Sequence, residues 1–226
     1  MTTANFSPDT ILSFWFDEIS KESWFRKDPD FDAMIRDRFL EVFLSAAACE
    51  LASWRQTFLG RLAEIIVLDQ FSRNLLRESA EAFAQDSLAL ALSQEAVSMG
   101  VLDALEPARQ AFLIMPFMHS ESSLIHEQAL ELFSRPGLEF NLDFEKRHKE
   151  IIDRFGRYPH RNALLGRVST PEELAFCNNL ALLSSHTQGA VKVGADATQL
   201  CSTLPYCASY PKQNKYCESI KKSDLK

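Results

Sequence analysis

Apolar residues recur at three- and four-residue spacing from Pro8 to about residue 183, which is the period of amphipathic helices. Ser7-Pro8-Asp9 supplies a cap, a proline at the first helical position and an acid at the positive end of the dipole. The helix it opens carries Leu12, Trp15, Phe16 and Ile19 on one side. Asp28-Pro29 repeats the signal, and Phe31, Ile35, Phe39, Val42 and Phe43 form the apolar face that follows. A third helix is predicted over about 55–77. A fourth is predicted from Ser79 to Gly100, with small residues spaced so that a neighbour approaches closely. Glu106-Pro107 starts a fifth that reaches about His119, and a sixth spans about 122–134. Asn141 is read as the cap of a seventh, stopped by Gly156. Thr170-Pro171-Glu172-Glu173 opens an eighth. Between these last two, RYPHRNALLGRVS is a loop, held extended before Pro159.

The expected fold is therefore all-α, built from stacked antiparallel helical hairpins, as an irregular array or a compact bundle. Only seven Gly among 226 residues agree with helices rather than an all-β fold. The apolar period ends at about residue 183. The segment 184–226 is expected to be a loosely structured tail after a single domain spanning 1–183.

A net charge of −7 argues against nucleic acid as a partner. The first ten residues lack the basic and apolar regions of a signal peptide. No uncharged apolar run approaches roughly 18 residues, so no membrane association is expected, and a cytoplasmic setting follows. The cysteines (Cys49, Cys177, Cys201, Cys207 and Cys217) fit no zinc spacing, and no metal or cofactor is expected. GxGxxG, GxxxxGK[ST] and GxSxG are absent, which removes the common dinucleotide, P-loop and hydrolase-elbow readings.

Several motifs in fixed order point further. They are FWF with a following WF (14–16, 24–25), LDQFSRNLLR (68–77), AFAQD (82–86), MPFMHSE (115–121) and RFGRYPHRN with LGR and ST-EE (154–173). Over about residues 8–176 the chain resembles the mainly bacterial family known as domain of unknown function 924. That resemblance implies a tetratricopeptide-like helical fold and marks these segments as the candidate site, without supplying a reaction.

The same segments carry the polar residues. In LDQFSRNLLR, Asp69, Arg73 and Arg77 are four apart and share a helix face, with Gln70 and Asn74 beside them. Leu68, Phe71 and Leu75 are left to bury the opposite side. The flanking run EIIVLDQF is so apolar that this polar row must be buried and needs partners from elsewhere. His119 and Glu121 lie at a helix junction, and Arg157, His160, Arg161 and Asn162 lie on stiffened backbone. Arginine offers planar donors for a carboxylate or phosphate, and Asn both donates and accepts. His126, one heptad after His119, reads as a hydrogen-bonded structural histidine.

LDQFSRN, MHSE and RYPHRN are thus expected to meet around one pocket. That pocket would comprise Asp69, Gln70, Arg73, Asn74, His119, Glu121, Arg157, His160, Arg161 and Asn162, and would bind a small anion or a peptide carboxylate. Two other readings remain open. One is a small-molecule enzyme of hydrolase type, with His119 or His160 as general base oriented by Glu121 or Asp69. The other is a purely structural polar network.

Overall fold

The computed structural model describes residues 6–187, with side chains to residue 179. Among the described residues the chain is all-α, with no strand. The helices are α1 (Pro8–Ser13), α2 (Pro29–Ala47), α3 (Phe58–Ile66), α4 (Ser72–Leu75), α5 (Asp86–Ser98), α6 (Pro107–Met118), α7 (Ser123–Phe133), α8 (Glu139–Phe155) and α9 (Pro171–Thr187). From α5 to α8 each helix packs on the next, while α3 is held between α1, α5 and α6.

Local chemistry explains most of the starts. Ser7 accepts from the Thr10 amide at 3.3 Å, and Asp28 accepts from the Asp30 and Phe31 amides at 3.1 and 3.3 Å. At α9 the Glu173 amide donates to Thr170 Oγ1 at 3.2 Å and the Thr170 amide donates to Glu173 Oε2 at 2.7 Å, a reciprocal capping box. Gly156 closes α8 in the left-handed region, at φ 67°.

The long third helix is not uniform. A 3₁₀ turn (Ala52–Gln56) precedes it, Thr57 caps it through the Gly60 amide at 3.0 Å, and α3 passes into α4 through a π-helical turn, Val67–Phe71. A second π turn, Phe14–Glu18, extends α1. Ile11, Leu12, Phe14 and Trp15 are buried in the core, while Phe16 and Ile19 are only half-buried.

Three other boundaries differ from the pattern-based expectation. Ser79 does not cap a continuous helix: its hydroxyl turns back to the Leu76 carbonyl at 2.9 Å, a 3₁₀ turn follows at Ala80–Phe83, and α5 starts at Asp86. Asn141 lies inside α8, which begins at Glu139. The last helix runs to Thr187, past the expected boundary at 183; the tail from 188 onward lies outside the described residues.

The core is strongly aromatic. Phe14 lies 4.7 Å from Phe39, Phe39 lies 5.1 Å from Phe71, and Trp15 meets Phe112 edge-on at 5.5 Å between ring centres. Phe31, Ile35, Phe39, Val42 and Phe43 are all buried, as the α2 spacing predicts. The α5 face is small: Ala89, Ser93 and Ala96 are fully enclosed, and Leu92 packs beside them.

Candidate functional site

The π turn sets Asp69 into the interior, where 1% of it is exposed. Such turns shift the register of a helix by one residue and recur at functional sites. Here the carboxylate meets three donors. His119 Nδ1, at the end of α6, lies 2.7 Å from Oδ1; Gln70 Nε2 lies 2.6 Å from Oδ2; Arg73 Nη1 lies 3.2 Å from Oδ1. Arg73 also reaches the Asp69 carbonyl at 2.6 Å, and Ser72 Oγ donates to the same carbonyl at 3.0 Å.

Burial alone would raise the Asp69 pKa. The charges of His119 and Arg73 and the hydrogen bonds from His119 and Gln70 outweigh it and bring the group down to about 2. The His119 ring is itself held below its ordinary value, first by burial and then by Arg73, against the pull of Asp69. At neutral pH the ring is therefore uncharged.

Arg73 continues to Asp86, with Nη2 3.1 Å from Oδ2, and Arg161 Nη1 reaches the same oxygen at 3.2 Å. The Arg161 guanidinium lies 4.6 Å from the ring centres of both Phe83 and Tyr158. LDQFSRN and RYPHRN therefore do meet, through a carboxylate on a third segment.

The other expected donors have different partners. Glu121 is served by Arg167, at 2.6 and 2.9 Å, and by the Tyr158 amide at 2.8 Å, not by His160 or Arg161. Burial works against its ionisation, but Arg167 and that amide hold its pKa below the ordinary value. Arg157 forms a bidentate pair with Glu173, at 2.7 and 2.9 Å, and reaches the Val168 carbonyl. Asn162 is fully buried and donates to Ser169 Oγ at 3.0 Å. His160 is buried, its Nδ1 has no hydrogen-bond partner among the described residues, and burial, then Arg161, push its pKa well below the ordinary value. Arg157 and Asn162 thus tie the segment between α8 and α9 to the start of α9, while His160 packs beside Tyr158 with ring centres 5.4 Å apart. Arg77 leaves the expected ladder with Asp69 and Arg73. The helix ends at Leu75, and Arg77 crosses to Asp32 on α2, with Nη2 2.7 Å from Oδ1; Asn74 reaches that oxygen at 2.8 Å.

His126 is fully buried, with Nδ1 2.6 Å from Glu145 Oε1 and Nε2 donating to the Ser120 carbonyl at 2.9 Å. It is a structural histidine, as its apolar setting suggests.

Two cavities flank His119. The first, about 60 Å³, is floored by Gln70, Arg73, Asn74, Arg77 and His119 and walled by Trp24, Phe25, Phe140 and Phe144. The second, about 310 Å³, is lined by Asp86, His119, Ser120, Glu121 and Arg161 with Phe83 and Leu165. Asp69 sits behind His119, and His160 lines neither cavity, so the expected residues do not surround one pocket. Sequence reasoning also missed His148, which lines the first cavity. Its Nδ1 donates to the Phe144 carbonyl at 2.8 Å, and burial lowers its pKa to about 3. Asp86 was missed too. The surplus of arginines over acids in the three segments was the signal for a further carboxylate.

Fold and site together define an all-α protein with a polar cleft set at a π turn. Residues 11–180 match a family described as bacterial protein of unknown function (DUF924), and the chain belongs to that family. A solved structure of the protein of unknown function ATU0120 from Agrobacterium tumefaciens is similar, with a TM-score of 0.73 and 35% identity. The match covers 76% of this chain and 97% of that one. No curated protein matches the chain. Among the described residues, no helix is long and apolar enough to cross a membrane.

Proposed function

We propose that the protein binds a small anion in the first cavity. One observation carries this reading: Arg26, Arg73 and Arg77 line the cavity, and none of its described lining residues is a carboxylate. The acids that pair with these arginines, Asp28, Asp69, Asp86 and Asp32, are not among the residues lining the cavity. The space itself therefore sees guanidinium edges, the amides of Gln70 and Asn74, and aromatic rings. Guanidinium is the group suited to carboxylate and phosphate. A volume of about 60 Å³ favours a small head group over a peptide backbone. Titration calorimetry with phosphate, butanoate and benzoate tests the reading. Saturable binding should weaken at least tenfold in Arg73→Gln and in Arg77→Gln. No heat with any of the three, or affinities unchanged in both variants, would overturn it.

A specific observation favours a second reading, catalysis on that anion. His119 Nδ1 is committed to Asp69, Nε2 has no hydrogen-bond partner among the described residues, and the ring lines both cavities. A neutral imidazole oriented by a buried carboxylate, with its second nitrogen toward open space, has the geometry of a general base. A panel of anionic esters and amides tests it. His119→Asn should abolish turnover of any ester or amide that the wild type cleaves. Turnover that survives the substitution rules His119 out as the base.

A further inference from the structure

The cationic cavity does not end at its aromatic wall. A third cavity of about 440 Å³ shares Trp24, Phe25, Met115, Phe140 and Asn141 with it, so the two are contiguous. The shared part is mostly ring surface. Trp24 meets Phe112 edge-on at 4.9 Å, and Phe25 lies nearly parallel to Phe112 at 6.2 Å. Beyond it the groove runs over Pro107, Ala108 and Ala111 at the start of α6 and reaches Lys21 and Glu22 at its far edge. Phe140, which lines both cavities, remains 52% exposed.

The combined cleft is thus cationic at one end, around Arg73 and Arg77, and lined elsewhere mainly by aromatic and aliphatic side chains as far as Lys21 and Glu22. His148 and Arg77 line only the first cavity, and Lys21 and Pro107 line only the third. We infer that the ligand is an amphiphilic anion, a carboxylate carrying an unbranched acyl chain. The carboxylate would sit at the arginines, and the chain would lie along Trp24, Phe25, Phe140 and the Ala108–Ala111 edge of α6. This inference rests on the anion reading and adds the chemical class of the ligand to it. Charge complementarity fixes the orientation: the chain end lies in the groove, where burial of methylenes favours binding. Phosphate or a short carboxylate would fill only the cationic end.

The test is calorimetry on the full chain with butanoate, hexanoate, octanoate and decanoate, each below its micelle concentration, and with decanol as the uncharged control. Affinity should rise about threefold for each added methylene over the first part of the series. Decanol should bind at least tenfold more weakly than decanoate. Ala108→Trp, which fills the groove away from the arginines, should flatten the series while leaving butanoate unchanged. Ala108→Glu, at a partly exposed position where a charge is tolerated, should do the same and guards against a folding defect in the tryptophan variant. Equal affinities for butanoate and decanoate in the wild type would overturn the acyl chain while leaving the anion site standing. Decanol binding as well as decanoate would overturn the amphiphilic ligand in favour of a purely apolar one. A series that neither Ala108 variant flattens would place the chain elsewhere and overturn the groove. If butanoate, phosphate and decanoate all fail to bind, the anion reading itself falls, and this inference with it.

Discussion

His119 Nδ1 lies 2.7 Å from Asp69 Oδ1, although fifty residues separate them in sequence. The bond joins the end of α6 to the π turn between α3 and α4, so it couples the site to the packing of the helical frame. Asp69→Ala removes the shared acceptor of His119, Gln70 and Arg73 and should cost about 3–5 kcal/mol, as breaking a buried pair does. Asp69→Asn keeps the shape and removes the charge. It should drive the His119 pKa further down, because Asp69 is the group pulling it up. Urea denaturation reads the first effect, and imidazole NMR titration reads the second. A His119 pKa that rises in Asp69→Asn contradicts the assignment.

His148 sets a pH dependence with a definite sign. Its folded pKa is about 3, below the ordinary 6.5, because burial disfavours the charged ring. Between those values the unfolded chain binds a proton that the folded chain refuses. The contribution to stability is therefore complete above about pH 6.5 and is lost progressively as the pH falls toward 3. His148→Asn retains a donor for the Phe144 carbonyl and removes the titration. Between pH 6 and 4 the unfolding free energy of the wild type should fall more steeply than that of the variant, by about 1.4 kcal/mol per pH unit. Parallel urea profiles would show that the ring is not desolvated.

Gly60 gives a test of packing at the head of α3. In most helix positions Gly→Ala stabilises by a few tenths to 1 kcal/mol. Here a Cβ would lie 1.9 Å from the Trp54 carbonyl oxygen and 2.9 Å from Thr57 Oγ1. The nearest atom belongs to backbone and cannot rotate away. Gly60→Ala should therefore destabilise, by more than 1 kcal/mol, and a raised melting temperature would show that the 3₁₀ turn at Ala52–Gln56 is placed wrongly.

The pattern of apolar residues was enough for the helices whose chemistry is local. α6 and α7 begin and end within a residue or two of their expected places, and α2 begins at the expected Pro29, because proline, caps and glycine act over one turn. The two π turns were not legible. A single inserted residue leaves the apolar spacing almost unchanged, yet Asp69, which faces His119, lies inside such a turn. The site was half legible for a related reason. A buried row at Asp69, Gln70 and Arg73 announces that it needs partners. Which partner each finds depends on helix crossings that no spacing encodes. Glu121, between α6 and α7, found Arg167 in the segment before α9, and Arg157 found Glu173 in the first turn of α9.

Asp86 is the residue whose role follows most directly from those crossings. It stands at the first position of α5, between Arg73 on α4 and Arg161 on the turn after α8, with Nη1 atoms 3.0 and 3.2 Å away. Arg161 is 7% exposed, and burial lowers its pKa despite the pull of Asp86. Two largely buried cations therefore depend on one carboxylate, although Arg73 also has Asp69. Asp86→Ala should cost about 3–5 kcal/mol, because it leaves Arg161 buried against Phe83 and Tyr158 without that carboxylate. Removing the cation as well should recover part of the loss: Asp86→Ala combined with Arg161→Met should be more stable than Asp86→Ala alone. The measurement is a double-mutant cycle by urea denaturation. A double variant less stable than Asp86→Ala would mean that Arg161 is held by its ring contacts rather than by Asp86. The link between the π turn and the α8–α9 junction would then not be electrostatic.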